Sequence, residues 1–241
     1  MKIYKMESYE KMSEKTAALI AAQIVAKPDS VIGLATGSTP EGAYALLAKW
    51  CQEGLLDFSQ VKTVNLDEYK GLSPEDSHSY RYFMNQNLFD HINIDKANTY
   101  VPNGLEMDSK VVCEGYEAII DELGGIDLQL LGMGHNGHIG FTEPDTYFEM
   151  NTRCMDLTES TIEANKRNFN CADEVPKQAY TMGIGTIMRA RKIVIAVCGE
   201  DKAETLAKVI NGPVTPEVPA SILLFHPDVT LVADEAALSK I

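Results

Sequence analysis

Leu131–Pro144 reads LGMGHNGHIGFTEP and follows directly on Ile126–Leu131. That apolar run predicts a buried strand. The stretch then sets Gly132, Gly134, Gly137 and Gly140 among His135, Asn136, His138, Thr142 and Glu143. Glycine permits positive φ and close backbone approach to a ligand. Histidine and glutamate supply groups that move protons near neutral pH. A strand ending in such a turn reads as the floor of an active site. The spacing Gly132-x-Gly134-x-x-Gly137 also matches the dinucleotide fingerprint, which needs a helix opening at the turn. Here Gly140 and Pro144 oppose a helix, so nicotinamide binding is disfavoured. His135 and His138 have no third ligand at metal-site spacing, so no metal is expected.

Three other strand ends carry chemistry. Val61–Leu66 predicts a strand ending in Asp67-Glu68-Tyr69. In an extended chain the two acids point to opposite faces, so one can face a pocket while the other caps or meets water. Ser30–Ala35 predicts a strand, followed by TGSTPEG and a helix over Ala43–Cys51, with Thr39 as N-cap and Pro40 in the first turn. Thr36, Gly37, Ser38 and Thr39 form a small hydroxyl-rich loop aimed at a helix N-terminus, which favours a bound phosphate. The loop lacks the Gly-Lys-Ser/Thr ending of a Walker A motif, which disfavours Mg-nucleotide. Lys192–Cys198 predicts a buried strand that turns through Gly199 to Lys202 and a helix over Ala203–Ile210. A cation at a helix start opposes the dipole, which argues for a function at Lys202.

The remaining pattern is apolar strands alternating with helices, at Ser8–Ala26, Ser77–Phe89 and Lys110–Leu123, with a short helix near Thr186–Ala190. Tyr80, Tyr82, Phe83 and Phe89 are expected in the core. Ala220–Phe225 reads as a short helix, Thr230–Val232 as a last strand and Glu235–Lys240 as a terminal helix. Residues 1–241 are expected to form one α/β domain, an open, mostly parallel sheet with helices on both faces, doubly wound and Rossmann-like. The groups headed by Thr36, Asp67, His138 and Lys202 all follow apolar strands, the place where ligands bind in such sheets. Residues 157–176 lack an apolar stripe and read as a mobile lid.

Hydrophobic residues make up 45% of the chain and charged residues 23%, in the ordinary range for a soluble enzyme. Lys and Arg number 21 against 35 Asp and Glu, a net charge of −14. That argues against nucleic acid or anionic membrane as partner. No signal-peptide pattern or membrane-spanning run is read. The scattered cysteines 51, 113, 154, 171 and 198 suggest reduced thiols in a cytoplasmic protein.

LGMGHNGHIGFTEP, together with TGST, NLDEYKGL and ANKRNF, resembles the glucosamine-6-phosphate deaminases over nearly the whole chain. The resemblance implies conversion of glucosamine 6-phosphate and water to fructose 6-phosphate and ammonia, without cofactor. It places Asp67 as the C2 base, His138 on the ring oxygen and Glu143 holding the imidazole. Asn136 falls where some members carry Asp, and an Asn supplies no second anion. Thr36, Gly37, Ser38, Thr39, Arg167 and Lys202 fall on phosphate positions, and the family's lid falls near Arg167. The expected partner is a small amino-sugar phosphate; a homo-oligomer stays open. The rival readings are a 6-phosphogluconolactonase, which shares the fold, and a sugar-phosphate-sensing regulator domain. DEYKGL and GFTEP favour the deaminase over the first; the intact acid–base set and acidic charge disfavour the second.

Overall fold

In the computed structural model, residues 1–158, 162 and 175–241 are described. The main sheet has seven strands, all parallel. They are β1 (Lys2–Met6), β2 (Val31–Leu34), β3 (Lys62–Asn65), β5 (Thr99–Tyr100), β6 (Leu128–Leu131), β9 (Ile193–Val197) and β10 (Val229–Asp234), in the order β1-β10-β9-β6-β2-β3-β5. The order runs outward from β2 through β3 to β5, then resumes on the other side of β2 with β6. That reversal makes a topological switch point between β2 and β6, the crevice where open α/β sheets bind ligands.

Side-chain alternation splits the core into two layers. Ile193, Ile195 and Val197 of β9 pack on one face with Tyr116 and Ile120 of α4 (Ser109–Glu122) and Leu206 and Val209 of α6 (Ala203–Asn211). Val194 and Ala196 face the other way, toward Met12, Ile20 and Ile24 of α1 (Tyr9–Ala26) and Tyr44 and Leu47 of α2 (Ser38–Gln52). A strand buried on both faces reads as a continuous apolar run, which is why IVIAV was legible. Removing a buried side chain such as Leu47 to Ala would cost about 2–5 kcal/mol. α1 is capped by Ser8, whose hydroxyl accepts from the Lys11 N–H. α4 is capped by Asp108 and is followed by Gly124 and Gly125, both at positive φ.

Several expectations need correction. β1 was not anticipated; KIYKM sits on the sheet edge with mostly exposed side chains, so its charges do not mark it as a strand. Residues 235–240 form turns instead of a helix. The Asp234 carboxylate accepts the Ala237 N–H, and the chain stays in hydrogen-bonded turns from there. Asp67–Tyr69 does not simply end β3. It forms β4, part of a second, antiparallel sheet ordered β4-β8-β7, with β8 at Gln178–Thr181 and β7 at Arg153–Asp156. Of the four aromatic residues expected in the core, Phe89 is fully buried, and Tyr80, Tyr82 and Phe83 are partly so. α3 spans Tyr80–Asn87 and α5 spans Ile184–Met188. The lid segment, 157–176, lies mostly outside the described residues. No described helix is long and apolar enough to cross a membrane.

Candidate active site

The loops after β9, β6, β2 and β3 carry the four predicted groups, and these strands are consecutive neighbours in the sheet. The sequence placed each group at a strand end; the strand order brings them to one edge.

The turn after β6 is closed by its own backbone. Gly134 N–H donates to the His138 carbonyl at 3.0 Å, and Gly137 N–H to the Gly134 carbonyl at 3.0 Å. Its glycines serve different ends. Gly137 and Gly140 sit at φ +86° and +57°, where a side chain is strained. Gly134 makes room: a Cβ there would lie 2.1–2.4 Å from the His138 imidazole. The ring therefore lies on the turn's own backbone.

The imidazole is held through an amide. His138 Nδ1 lies 2.8 Å from Asn136 Oδ1, and the Asn136 amide nitrogen donates to Glu143 Oε2 at 2.5 Å. Glu143 Oε1 stands further from Nδ1, at 3.5 Å. Glu143 was expected to hold the ring itself; the geometry instead makes Asn136 the direct partner and Glu143 the anchor behind it. An amide oxygen accepts from Nδ1–H, which leaves Nε2 as the ring nitrogen outside this relay. His138 is about a third exposed by its side chain, at 31%, while Glu143 is at 10%.

Asp67 comes in from the second sheet. A Cβ on Gly140 would lie 3.5 Å from Asp67 Oδ2 and 3.0 Å from Thr181 Oγ1, so both side chains border the turn. Thr181 pairs with Asp67 across β4 and β8, and its hydroxyl accepts the Phe141 N–H at 3.1 Å. Sequence reading missed Thr181, because QAYT is a short strand without alternation. It also missed Arg153, which donates to Thr142 Oγ1 at 3.3 Å. Asp67 is 6% exposed. Burial, with the neighbouring Glu68 charge second, pushes its carboxyl up to about 8. Near neutral pH such a group can take a proton from carbon and return it.

The loop after β2 is built for an anion. Gly37, at φ +91°, precedes Ser38 and Thr39 in the first turn of α2, and no side chain caps that end. Thr39 was expected as the N-cap; the helix starts earlier, at Ser38, and Thr39 lies inside it. The first-turn N–H groups thus have no side-chain cap, an arrangement that can take an anion. Nothing would lie within 4 Å of a Cβ on Gly37. Two tyrosines brace the loop. Tyr44 donates to the Ala35 carbonyl at 2.6 Å, and Tyr9 to the Ser38 carbonyl at 2.9 Å. Thr39 Oγ1 lies 4.0 Å from Cys198 Sγ, which ties the loop to the end of β9. Lys202, half-buried, stands beyond it at the start of α6. His135 points outward to pair with Asp201 at 2.9 Å, away from any metal role with His138. Among the described residues no cluster of His, Cys, Asp or Glu suits a metal. Arg167 lies outside the described residues.

Residues 5–232 match the family model described as glucosamine-6-phosphate isomerases/6-phosphogluconolactonase. The chain belongs to this family. It is 55% identical to a glucosamine-6-phosphate deaminase of Lachnoclostridium phytofermentans, over 96% of this chain and 98% of the relative. A solved structure described as a monomeric glucosamine-6-phosphate deaminase superposes with a TM-score of 0.97 at 44% identity, covering all of both chains. The family's other branch is more distant. A 6-phosphogluconolactonase from Trypanosoma cruzi is 21% identical with a TM-score of 0.80, over 100% of this chain and 96% of that one. That likeness concerns the fold alone.

Proposed function

We propose that this chain converts glucosamine 6-phosphate and water to fructose 6-phosphate and ammonia. The observation that carries the reading is the convergence of two proton-handling groups on one turn. Asp67 borders it at Gly140, and His138 is held within it by Asn136 and Glu143. A lactonase needs no base at C2.

The chemistry follows from the placements. The phosphate sits on the N–H groups of the loop Thr36, Gly37, Ser38 and Thr39, with Lys202 and Arg167 as cations. Remote phosphate binding orients the reacting end of the sugar. His138 Nε2 shuttles the proton from O1 to O5, which breaks the C1–O5 bond and leaves an open-chain aldehyde. Asp67 takes the C2 proton while the C1 carbonyl oxygen gains one from solvent, giving an enolamine. Asp67 then returns its proton to C1, producing an iminium at C2 that gives a proton back to solvent and becomes the imine. Water adds to C2 and ammonia leaves, so the sum is substrate plus one water to ketose phosphate plus ammonia.

The partner is thus a small amino-sugar phosphate. A cytoplasmic location fits such a substrate. We adopt a monomer as the working state, since the 44% identical neighbour is described as monomeric; a light-scattering mass decides it. The function is tested by ammonia release from glucosamine 6-phosphate, with 6-phosphogluconolactone hydrolysis run beside it. Ammonia without lactone hydrolysis is expected. The converse would reassign the chain to the lactonase branch, and neither activity would leave a binding domain.

A further inference from the structure

Glu68 follows the base directly, yet the mechanism above gives it no task. It is 2% exposed. Its carboxylate accepts three backbone N–H groups: Tyr69 at 2.8 Å and Tyr80 at 2.9 Å on Oε1, and Arg81 at 2.9 Å on Oε2. Two of these donors open α3, so Glu68 caps that helix from another strand and joins β4 to it. Buried anions usually meet a cation. Among the described residues no ion pair reaches Glu68, and the nearby Arg81 guanidinium is spent on Thr99, with 2.6 Å bonds to its hydroxyl and its carbonyl. Arg81 therefore acts on Glu68 only at longer range, behind the three N–H donors, and the carboxylate charge is also felt by Asp67.

We propose that Glu68 is a positioning residue for proton abstraction, holding the first turn of α3 against β4 and setting a second negative charge beside Asp67. This rests on the reading of Asp67 as the C2 base. The helix it holds carries Tyr80, whose ring stacks on Phe141 of the catalytic turn at 5.9 Å and touches Tyr69 at 4.9 Å. Glu68 thus ties the base strand to the turn through one aromatic layer. The titratable groups around the pair are Tyr69 on β4, Tyr80 and Arg81 on α3, Tyr116 on α4 and Tyr180 opposite Glu68 on β8. His138 and Glu143 lie across the turn. Burial raises Tyr80 and Tyr116, so these two stay neutral in the working range. Burial also raises Glu68, to about 7, against the pull of its three N–H donors. The Glu68 charge in turn raises Asp67.

The test uses C2 deuterium exchange on 4,5-di-O-methyl-glucosamine 6-phosphate, which can close to neither pyranose nor furanose, so ring opening by His138 does not enter. The pH profile is measured for the parent, Glu68→Gln and Glu68→Asp. In Glu68→Gln the acidic limb should move down by about one unit, the size expected for losing a neighbouring like charge. Its maximal rate should fall by about tenfold with KM moving less. Glu68→Asp keeps the charge and should restore the limb while its rate stays low. An unmoved limb in Glu68→Gln would overturn the proposal and leave Glu68 a structural clamp. If Glu68→Gln does not fold, carboxyl ¹³C NMR of the parent decides. Two inflections in the Asp67 curve, one following Glu68, support the proposal; a single inflection overturns it. Asp67→Asn separates the layers. A dead Asp67→Asn with an unmoved Glu68→Gln limb sinks this inference alone, whereas an active Asp67→Asn sinks the base assignment itself.

Discussion

Asp67 and His138, the two proton-handling groups of the proposed mechanism, border one turn but are prepared in opposite ways. Asp67 is buried on a short strand, next to another acid, and low dielectric makes its carboxyl basic. His138 is about a third exposed by its side chain, and a relay through Asn136 to Glu143 sets which nitrogen is left outside it. Burial tunes strength in the first case. Hydrogen bonding tunes orientation in the second. The difference suits the two tasks: a carbon acid needs a strong base shielded from water, whereas ring opening needs a nitrogen that gives and takes a proton.

The largest expected effect tests the buried half. Asp67→Asn keeps the shape but cannot accept a proton, so kcat should fall by roughly 10³-fold or more while glucosamine 6-phosphate still binds. Full turnover in that variant would remove Asp67 from the mechanism. The relay half should be less severe. His138→Gln should lower kcat on the cyclic substrate by roughly 10²-fold, the low end of general acid–base contributions. Glu143→Gln should be milder again, about tenfold, because Asn136 still contacts the imidazole when its anchor is neutral. A Glu143→Gln loss equal to that of His138→Gln would mean the carboxylate acts on the substrate itself.

The smallest effect is on stability, and its sign distinguishes burial from hydrogen bonding as the source of basicity. Asp67 in the folded chain titrates near 8, far above its ordinary 3.8. Between those values the folded state holds a proton that the unfolded chain has released. Stability therefore falls as pH rises from about 4 to about 8. Asp67→Asn lacks this dependence. Its Tm should exceed the parent's at pH 8.5 by roughly 3 °C or more, and the gap should close toward pH 5. A parent that gains stability over that range relative to Asp67→Asn would contradict the buried, raised carboxyl.

The same contrast explains what could be read in advance. The relay is local: Asn136, His138 and Glu143 lie within eight residues, and the glycines that shape their turn stand between them, so the motif carries the site. The parallel strands were legible because burial on both faces makes continuous apolar runs such as IVIAV. The setting of Asp67 is not local. Its neighbours Thr181 and Gly140 and the capped helix at Tyr80 come from distant segments. β7 and β8 have four residues each and no alternation to announce them. Glu68 gave only the choice between capping and solvent. The structure resolves it as a buried cap for a helix twelve residues away. Thr39 was misread because Gly37 ends the loop two residues sooner than the Thr-Pro pair suggested.

The division of labour between the two groups is tested most directly by deuterium incorporation at C2. It is measured on cyclic glucosamine 6-phosphate and on the 4,5-di-O-methyl analogue, in the parent, Asp67→Asn and His138→Gln. Asp67→Asn should abolish exchange on both substrates. His138→Gln should slow the cyclic substrate by roughly 10²-fold and leave exchange on the analogue close to the parent rate. If His138→Gln slows both substrates by the same factor, ring opening is not its task, and the imidazole belongs with Asp67 in the enolisation step.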